Sequence, residues 1–132
     1  ILLGLVGSEM CIRDRVKNPH LIMGLSTSAR SGLHGLSKAL SREVAQYNIT
    51  INNVLPERID TDRQTQILNF QAKLADSTYE EAKKELEESL TAKRMGTVEE
   101  FSGICTFLCS EQAAYISGQN ISVDGGNSTN LI

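Results

Sequence analysis

From Gly24 to Gln46 the apolar positions repeat as in a helix. Leu33, Leu36, Leu40 and Val44 fall on one stripe with a period close to 3.6 residues. Ser28, Gly32, Gly35 and Ala39 line a neighbouring face of small residues, which lets another backbone approach closely. Each glycine costs a helix about 1 kcal/mol relative to alanine, so close packing is expected to offset it. Tyr47 and Asn48 end the helix, and ITINNVL (49–55), closed by Pro56, reads as a buried strand. Residues 57–96 are polar and mostly helical. Ile67, Phe70 and Leu74 form one short stripe there, and Tyr79, Ala82, Leu86 and Leu90 form another. Thr78 with Glu81, and Thr97 with Glu100, have the spacing of capping boxes. Glu80 and Lys84 are a favourable i,i+4 pair. This acidic stretch is expected to be the least buried part of the chain.

Phe101, Ile104, Cys105 and Leu108 continue at helical spacing to about Ser110. Ser117-Gly118 marks a turn, and Ile121 and Val123 alternate in a strand that Asp124-Gly125-Gly126 breaks. The order of helix, strand, helical excursion, helix and strand predicts α/β with parallel strands. Two short strands do not make a stable sheet alone. The pattern therefore predicts part of a larger doubly wound domain.

Composition narrows the classes. The chain has 132 residues, 40% hydrophobic and 22% charged, with a net charge of −3 and no basic block. That argues for a globular chain and against a nucleic-acid partner. No run reaches the ~18 apolar residues of a membrane helix, so no membrane partner is expected. Three cysteines without a C-x-x-C spacing argue against a disulfide scaffold or zinc site and suit a reducing, cytoplasmic setting. Cys105 and Cys109 read as small core residues.

Four motifs carry a resemblance: KALSREVAQYNITINNVLP, ERIDTD, RMGTVEEF and SGQNISVDGG. In this order and spacing, Val16 to about Gly126 resembles the C-terminal half of short-chain dehydrogenases/reductases, nearest the 3-oxoacyl-acyl-carrier-protein reductases. The implied fold is the C-terminal half of a Rossmann-like doubly wound parallel sheet over residues 16–132, with substrate-lid helices at 62–93. GSEMCIRDR resembles translated sequencing-adapter sequence, which puts residues 1–15 outside the native fold. The chain begins with Ile1, which implies processing or a start further upstream.

The resemblance also implies a site. Counting back from Asn52 and Pro56 puts the family's catalytic tyrosine and lysine at Ser26 and Arg30. A rival register, His34 to Lys38, breaks both distances by eight residues. In the family the tyrosine is the general acid, and the lysine holds the nicotinamide ribose. Arg30 is a cation one helical turn from position 26 and can bond ribose hydroxyls. Ser26 is a poor proton donor, because an alkanol is far less acidic than a phenol at pKa ~10. A branch of the family carries a similar Ser-Asn-x-x-Arg-like segment after a Val-Lys-x-Pro stretch like Val16–Pro19.

His20 is a weak candidate donor, and His34 is expected at a surface or interface. Tyr47 is roughly 25 Å along the helix from Arg30 and too far away. Pro56, Glu57, Ile59 and Thr61 match the segment that passes the nicotinamide of NAD or NADP. Glu57 replaces a family glycine, so either the loop turns its carboxylate away or cofactor binding is weakened. The family's glycine-rich phosphate loop would lie upstream, since Gly4 and Gly7 have the wrong spacing.

The implied activity is hydride transfer between nicotinamide and a carbonyl/alcohol substrate by a homo-oligomeric parent, with the present chain inactive and poorly stable alone. The alternatives are a non-catalytic nucleotide- or partner-binding member of the family, or a stand-alone helical interaction domain.

Overall fold

The computed structural model describes residues 24–129. The readings of residues 1–15 as non-native, of Val16–Pro19, and of His20 as a donor lie outside the described residues. Among the described residues four α-helices and two strands are formed: α1 Gly24–Val44, β1 Asn53–Pro56, α2 Asp62–Leu74, α3 Tyr79–Ser89, α4 Val98–Leu108 and β2 Asn120–Val123. Asn48, at φ 57, closes the turn that follows α1. Asparagine tolerates this left-handed geometry better than most residues.

The strands pair in parallel, Asn53 opposite Asn120 through Pro56 opposite Val123. The alternation of elements thus gives the expected α/β topology. Asn52 brackets the amino ends of the strands: its Nδ2 donates to Ile116 O at 2.7 Å, and its Oδ1 accepts from Gln119 N at 3.1 Å. β1 is shorter than ITINNVL. Ile49–Asn52 form its approach, and Leu55 is its fully buried residue.

Beyond β1, a parallel bridge joins Ile59 to Gly96. Gly96 N donates to Arg58 O at 2.8 Å, and Asp60 N donates to Gly96 O at 2.9 Å. A Cβ at Gly96 would stand 2.9 Å from Ile59 Cδ1, so the bridge needs a glycine or a shift of that side chain.

Both capping boxes form, with Thr78 and Thr97 as the N-caps. They hold the starts of α3 and α4 by satisfying orphan N–H groups. The stripe of α3 also forms, because Tyr79, Ala82 and Leu86 pack on Leu68, Leu90 and Met95.

Other expectations are corrected. In α2 the buried positions are Gln64, Leu68 and Ala72, while Phe70 is 63% exposed and Leu74 is 74% exposed. The α3 contact selects the face one residue removed from the Ile67/Phe70/Leu74 stripe. The stretch read as least buried therefore holds a hydrophobic cluster. Lys84 pairs with Glu88 at 3.9 Å rather than with Glu80. Cys109 is exposed at the end of α4, and burial together with the neighbouring Cys109 pushes the half-buried Cys105 thiol up.

The largest correction concerns α1. Leu36 is 63% exposed, and Leu33, Leu40 and the small-residue face are exposed too. The buried residues are His34 and Ser41. His34, read as a surface or interface residue, is therefore interior. The chain turns the polar side of α1 inward, and no described element covers the leucines.

Candidate functional site

The carboxyl ends of parallel strands are where α/β sheets place ligands. A cleft of ≈ 370 Å³ opens there. Its polar lining includes Glu57, Arg58, Arg94, Glu100, Ser122 and Asp124, and its apolar walls include Ile59, Ile104, Ile121 and Val123. The size suits a small molecule, and so does the mixture of apolar wall and few polar groups.

Most charges in the cleft are committed. Arg94 and Glu100 form a bidentate pair at 2.8 and 2.6 Å. Glu100 Oε2 also accepts from Thr97 N at 2.8 Å. The Arg94 guanidinium and then the Thr97 backbone hold the Glu100 carboxyl down at about 2. Asp124 uses one oxygen on Gly126 N and the other on Ser128 N, both at 3.0 Å. Arg58 donates to Gln64 Oε1 at 3.4 Å.

Glu57 differs. Its backbone N–H is fixed to Val123 O at 3.2 Å, and its carboxylate faces Arg58 Nε at 4.0 Å, beyond hydrogen-bond reach. Its side chain is 13% exposed. The non-glycine residues with positive φ among the described residues are Asn48, Asp76 and Lys93, so residue 57 adopts a backbone any amino acid accepts. The loop does not turn the carboxylate out to solvent.

Thr61 is exposed and caps α2, where its Oγ1 accepts from Gln64 N at 3.4 Å. A hydroxyl that accepts still has a proton to donate. Pro56 ends β1, and Ile59 sits in the bridge to Gly96.

Ser26 and Arg30 lie half-buried at the start of α1. Arg30 Nη1 and Thr27 Oγ1 are buried and lack a hydrogen-bond partner among the described residues. Buried donors of this kind are costly unless a partner arrives.

The cleft gathers Glu57 and Ile59 but is not lined by Ser26, Arg30, Pro56 or Thr61. No hydrogen bond among the described residues joins Ser26 or Arg30 to residues 56–61. The orientation of α1 is nevertheless fixed. Lys38 Nζ donates to Gly118 O at 3.0 Å, at the amino end of β2. From there Arg30 lies about 12 Å back along the helix and Ser26 about 18 Å, toward the start of α1. The short connection from α1 to β1 sends that start toward the ends where the strands finish. Lys38 is thus committed at the opposite end of the strands, away from the cleft.

Sequence reasoning missed Arg58, Ser122 and Asp124 as cleft residues, since nothing in the local pattern marks them. The Arg94–Glu100 clamp was legible in part, through the capping box.

Comparisons with known proteins agree with this architecture. The sequence profile of the family described as Enoyl-(Acyl carrier protein) reductase matches residues 15–128. The chain is 35% identical over 111 residues to the NADPH-dependent reductase BacG of Bacillus subtilis, covering 84% of this chain and 43% of that protein. It is 37% identical over 100 residues to the 3-oxoacyl-[acyl-carrier-protein] reductase FabG of Aquifex aeolicus, covering 76% of this chain and 36% of that protein.

Among solved structures it resembles YwfH, an NADPH-dependent reductase involved in bacilysin biosynthesis. The TM-score is 0.82 at 32% identity, over 92% of this chain and 46% of that one. It also resembles L-sorbose reductase from Gluconobacter frateurii complexed with NADPH and L-sorbose. There the TM-score is 0.83 at 26% identity, over 91% of this chain and 46% of that one. The chain therefore spans less than half the length of these relatives. Among the described residues no helix is long and apolar enough to cross a membrane. The parallel strands, the motifs at their ends and these relatives together make the chain a partial region of the short-chain dehydrogenase/reductase family.

Proposed function

We propose that the protein containing this chain is an NAD(P)-dependent oxidoreductase that moves a hydride between nicotinamide and a carbonyl/alcohol substrate. The observation that carries the reading is the cleft at the carboxyl ends of β1 and β2, bordered by the segment that matches the family's nicotinamide-contacting stretch. NADPH-dependent relatives support the cofactor class.

Arg30 would hold the nicotinamide ribose through its unpartnered Nη1 and place a positive charge one turn from Ser26. Thr61 would donate its hydroxyl proton while its lone pair caps α2. Pro56, Glu57 and Ile59 would border the nicotinamide. The cofactor supplies the hydride when bound. Residues 62–93, which form α2, α3 and their own cluster, would serve as the substrate lid. The exposed α1 leucines support burial against a second subunit or the rest of the domain in a cytoplasmic homo-oligomer. The 132-residue chain by itself is expected to be inactive and poorly stable, because its two-stranded sheet has open edges.

The test is nicotinamide absorbance during turnover by the full-length protein, with NADPH and NADH in turn. Ser26→Tyr combined with Arg30→Lys restores the family pair and should raise kcat about 10²–10⁴-fold, the usual worth of a positioned general acid. Ser26 in place of a phenol also favours a second reading, a nucleotide-binding member without catalysis. Tight NADPH binding with no turnover on any carbonyl compound would establish that reading instead.

A further inference from the structure

We infer that the Arg94–Glu100 clamp is a positioning device for the lid: it fixes the exit of residues 62–93 against α4 and so sets where the lid stands over the cleft. The inference rests on the oxidoreductase and lid readings above and assigns the residues that govern the lid.

Three observations carry it. First, one guanidinium ties the lid's core to α4. Arg94 Nη1 donates to Met95 O at 3.0 Å and to Glu100 Oε2 at 2.8 Å, while Nη2 donates to Glu100 Oε1 at 2.6 Å. Met95 is 5% exposed and belongs to the cluster of Leu68 and Leu90 against which Tyr79, Ala82 and Leu86 pack. The clamp therefore holds the backbone of a residue on which α2 and α3 close. Second, it lies where the lid returns to the sheet. Lys93, at φ 57, turns the chain just before Arg94, and Gly96 follows in the bridge to Ile59. Glu100 Oε2 also accepts from Thr97 N at 2.8 Å, which fastens the same carboxylate to the start of α4. Third, Arg94 and Glu100 both line the cleft, so a shift of this joint moves the cleft wall and the lid together.

An exposed ion pair by itself is a weak anchor, and these side chains are 56% and 45% exposed. This pair is bidentate, and each partner is also bonded to backbone, so it fixes geometry as well as charge. A lysine keeps the charge and loses the fork. With the clamp broken, the lid exit has to be ordered each time a substrate binds, and that cost enters KM.

The test compares the full-length protein with its Arg94→Ala, Arg94→Lys and Glu100→Gln variants, using NADPH and ethyl acetoacetate as the probe ketone. Arg94→Ala should raise KM for the ketone about fivefold, the upper range for an exposed pair. Its kcat and its NADPH affinity should stay close to wild type. Glu100→Gln should move KM in the same direction, and the double variant should be no worse than Arg94→Ala alone. Arg94→Lys should fall between wild type and alanine, and it carries the comparison if the alanine variant misfolds.

An unchanged KM in all three variants would overturn the inference and leave the oxidoreductase reading intact. So would a KM raised by Arg94→Ala and not by Glu100→Gln, because Arg94 would then bind the ketone directly. Should ethyl acetoacetate not be reduced, amide hydrogen exchange decides the inference without turnover. Arg94→Ala should speed exchange at Leu68 and Leu86 in the lid and spare Leu55 and Ile121 in the strands. Acceleration at all four alike, or at none, sinks it.

Discussion

Replacing Gly118 with alanine tests the corner that orients α1. Gly118 has φ +69, and an ideal Cβ there would lie 2.6 Å from Ser41 Oγ and 3.1 Å from Lys38 Cδ and Nζ. The left-handed backbone costs an alanine about 1–2 kcal/mol. Lys38 is flexible and exposed and can move aside. Ser41 is 3% exposed, and its hydroxyl is tied to Lys38 O at 2.8 Å. Rotating it away forfeits a hydrogen bond worth about 0.5–1.5 kcal/mol. The two terms sum to about 1.5–3.5 kcal/mol, a large share of a typical stability of about 5–15 kcal/mol. Urea unfolding followed by circular dichroism on the full-length protein measures it. The Ser41→Ala, Gly118→Ala double variant removes the clashing oxygen and keeps the backbone strain. It should therefore be more stable than the sum of the single effects by about 1 kcal/mol. A single-variant cost below about 0.5 kcal/mol, or a strictly additive pair, refutes this account of the corner.

Three further outcomes are expected. In α2, Leu68→Ala should cost about 2–5 kcal/mol by opening a cavity under α3, whereas Phe70→Ala should stay within about 0.5 kcal/mol; equal effects in denaturant unfolding would contradict the observed face. Asn52→Ala leaves Ile116 O and Gln119 N without their partner and should cost about 1–3 kcal/mol, with faster amide exchange at Gln119 as the specific sign. Glu100 has its carboxyl lowered to about 2 in the folded chain from an ordinary 4.5. A depressed acid stabilises the fold above its unfolded value, and that support is lost as pH falls from about 4.5 to about 2. The melting-temperature gap between wild type and Glu100→Gln should therefore be open at neutral pH and close across that window.

Local chemistry was the most legible part of the sequence. Each capping box needs a threonine and a glutamate three residues apart, and both formed, Glu100 capping Thr97 N even while it pairs with Arg94. Faces of helices were less legible. In α2, Phe70 and Leu68 are equally plausible by periodicity alone, and the packing of Tyr79 and Leu86 decides between them. In α1 the pattern misleads outright, since the apolar stripe is real while the chain buries His34 and Ser41 on the other side. Ser41 lies against Gly118, to whose carbonyl Lys38 donates from eighty positions away, and no local window contains that contact. The leucine stripe is therefore a true helical pattern that no described element covers.

The candidate site shows the same division. Counting back from Asn52 and Pro56 by the family's spacing points to Ser26 and Arg30 at the start of α1. Asn52 proved to be more than a ruler, since it ties together the starts of both strands and so fixes where their far ends open. Glu57 was legible as a departure from the family glycine, and its consequence was not. Glycine is indispensable only where φ is positive or another group crowds the Cα, as at Gly118 and Gly96. Residue 57 lacks positive φ. A carboxylate at this position therefore leaves the loop's geometry unstrained and alters its chemistry. It sets a carboxylate at the end of β1, 4.0 Å from the Arg58 guanidinium, on a backbone that any residue accepts, so the departure from glycine does not damage the fold.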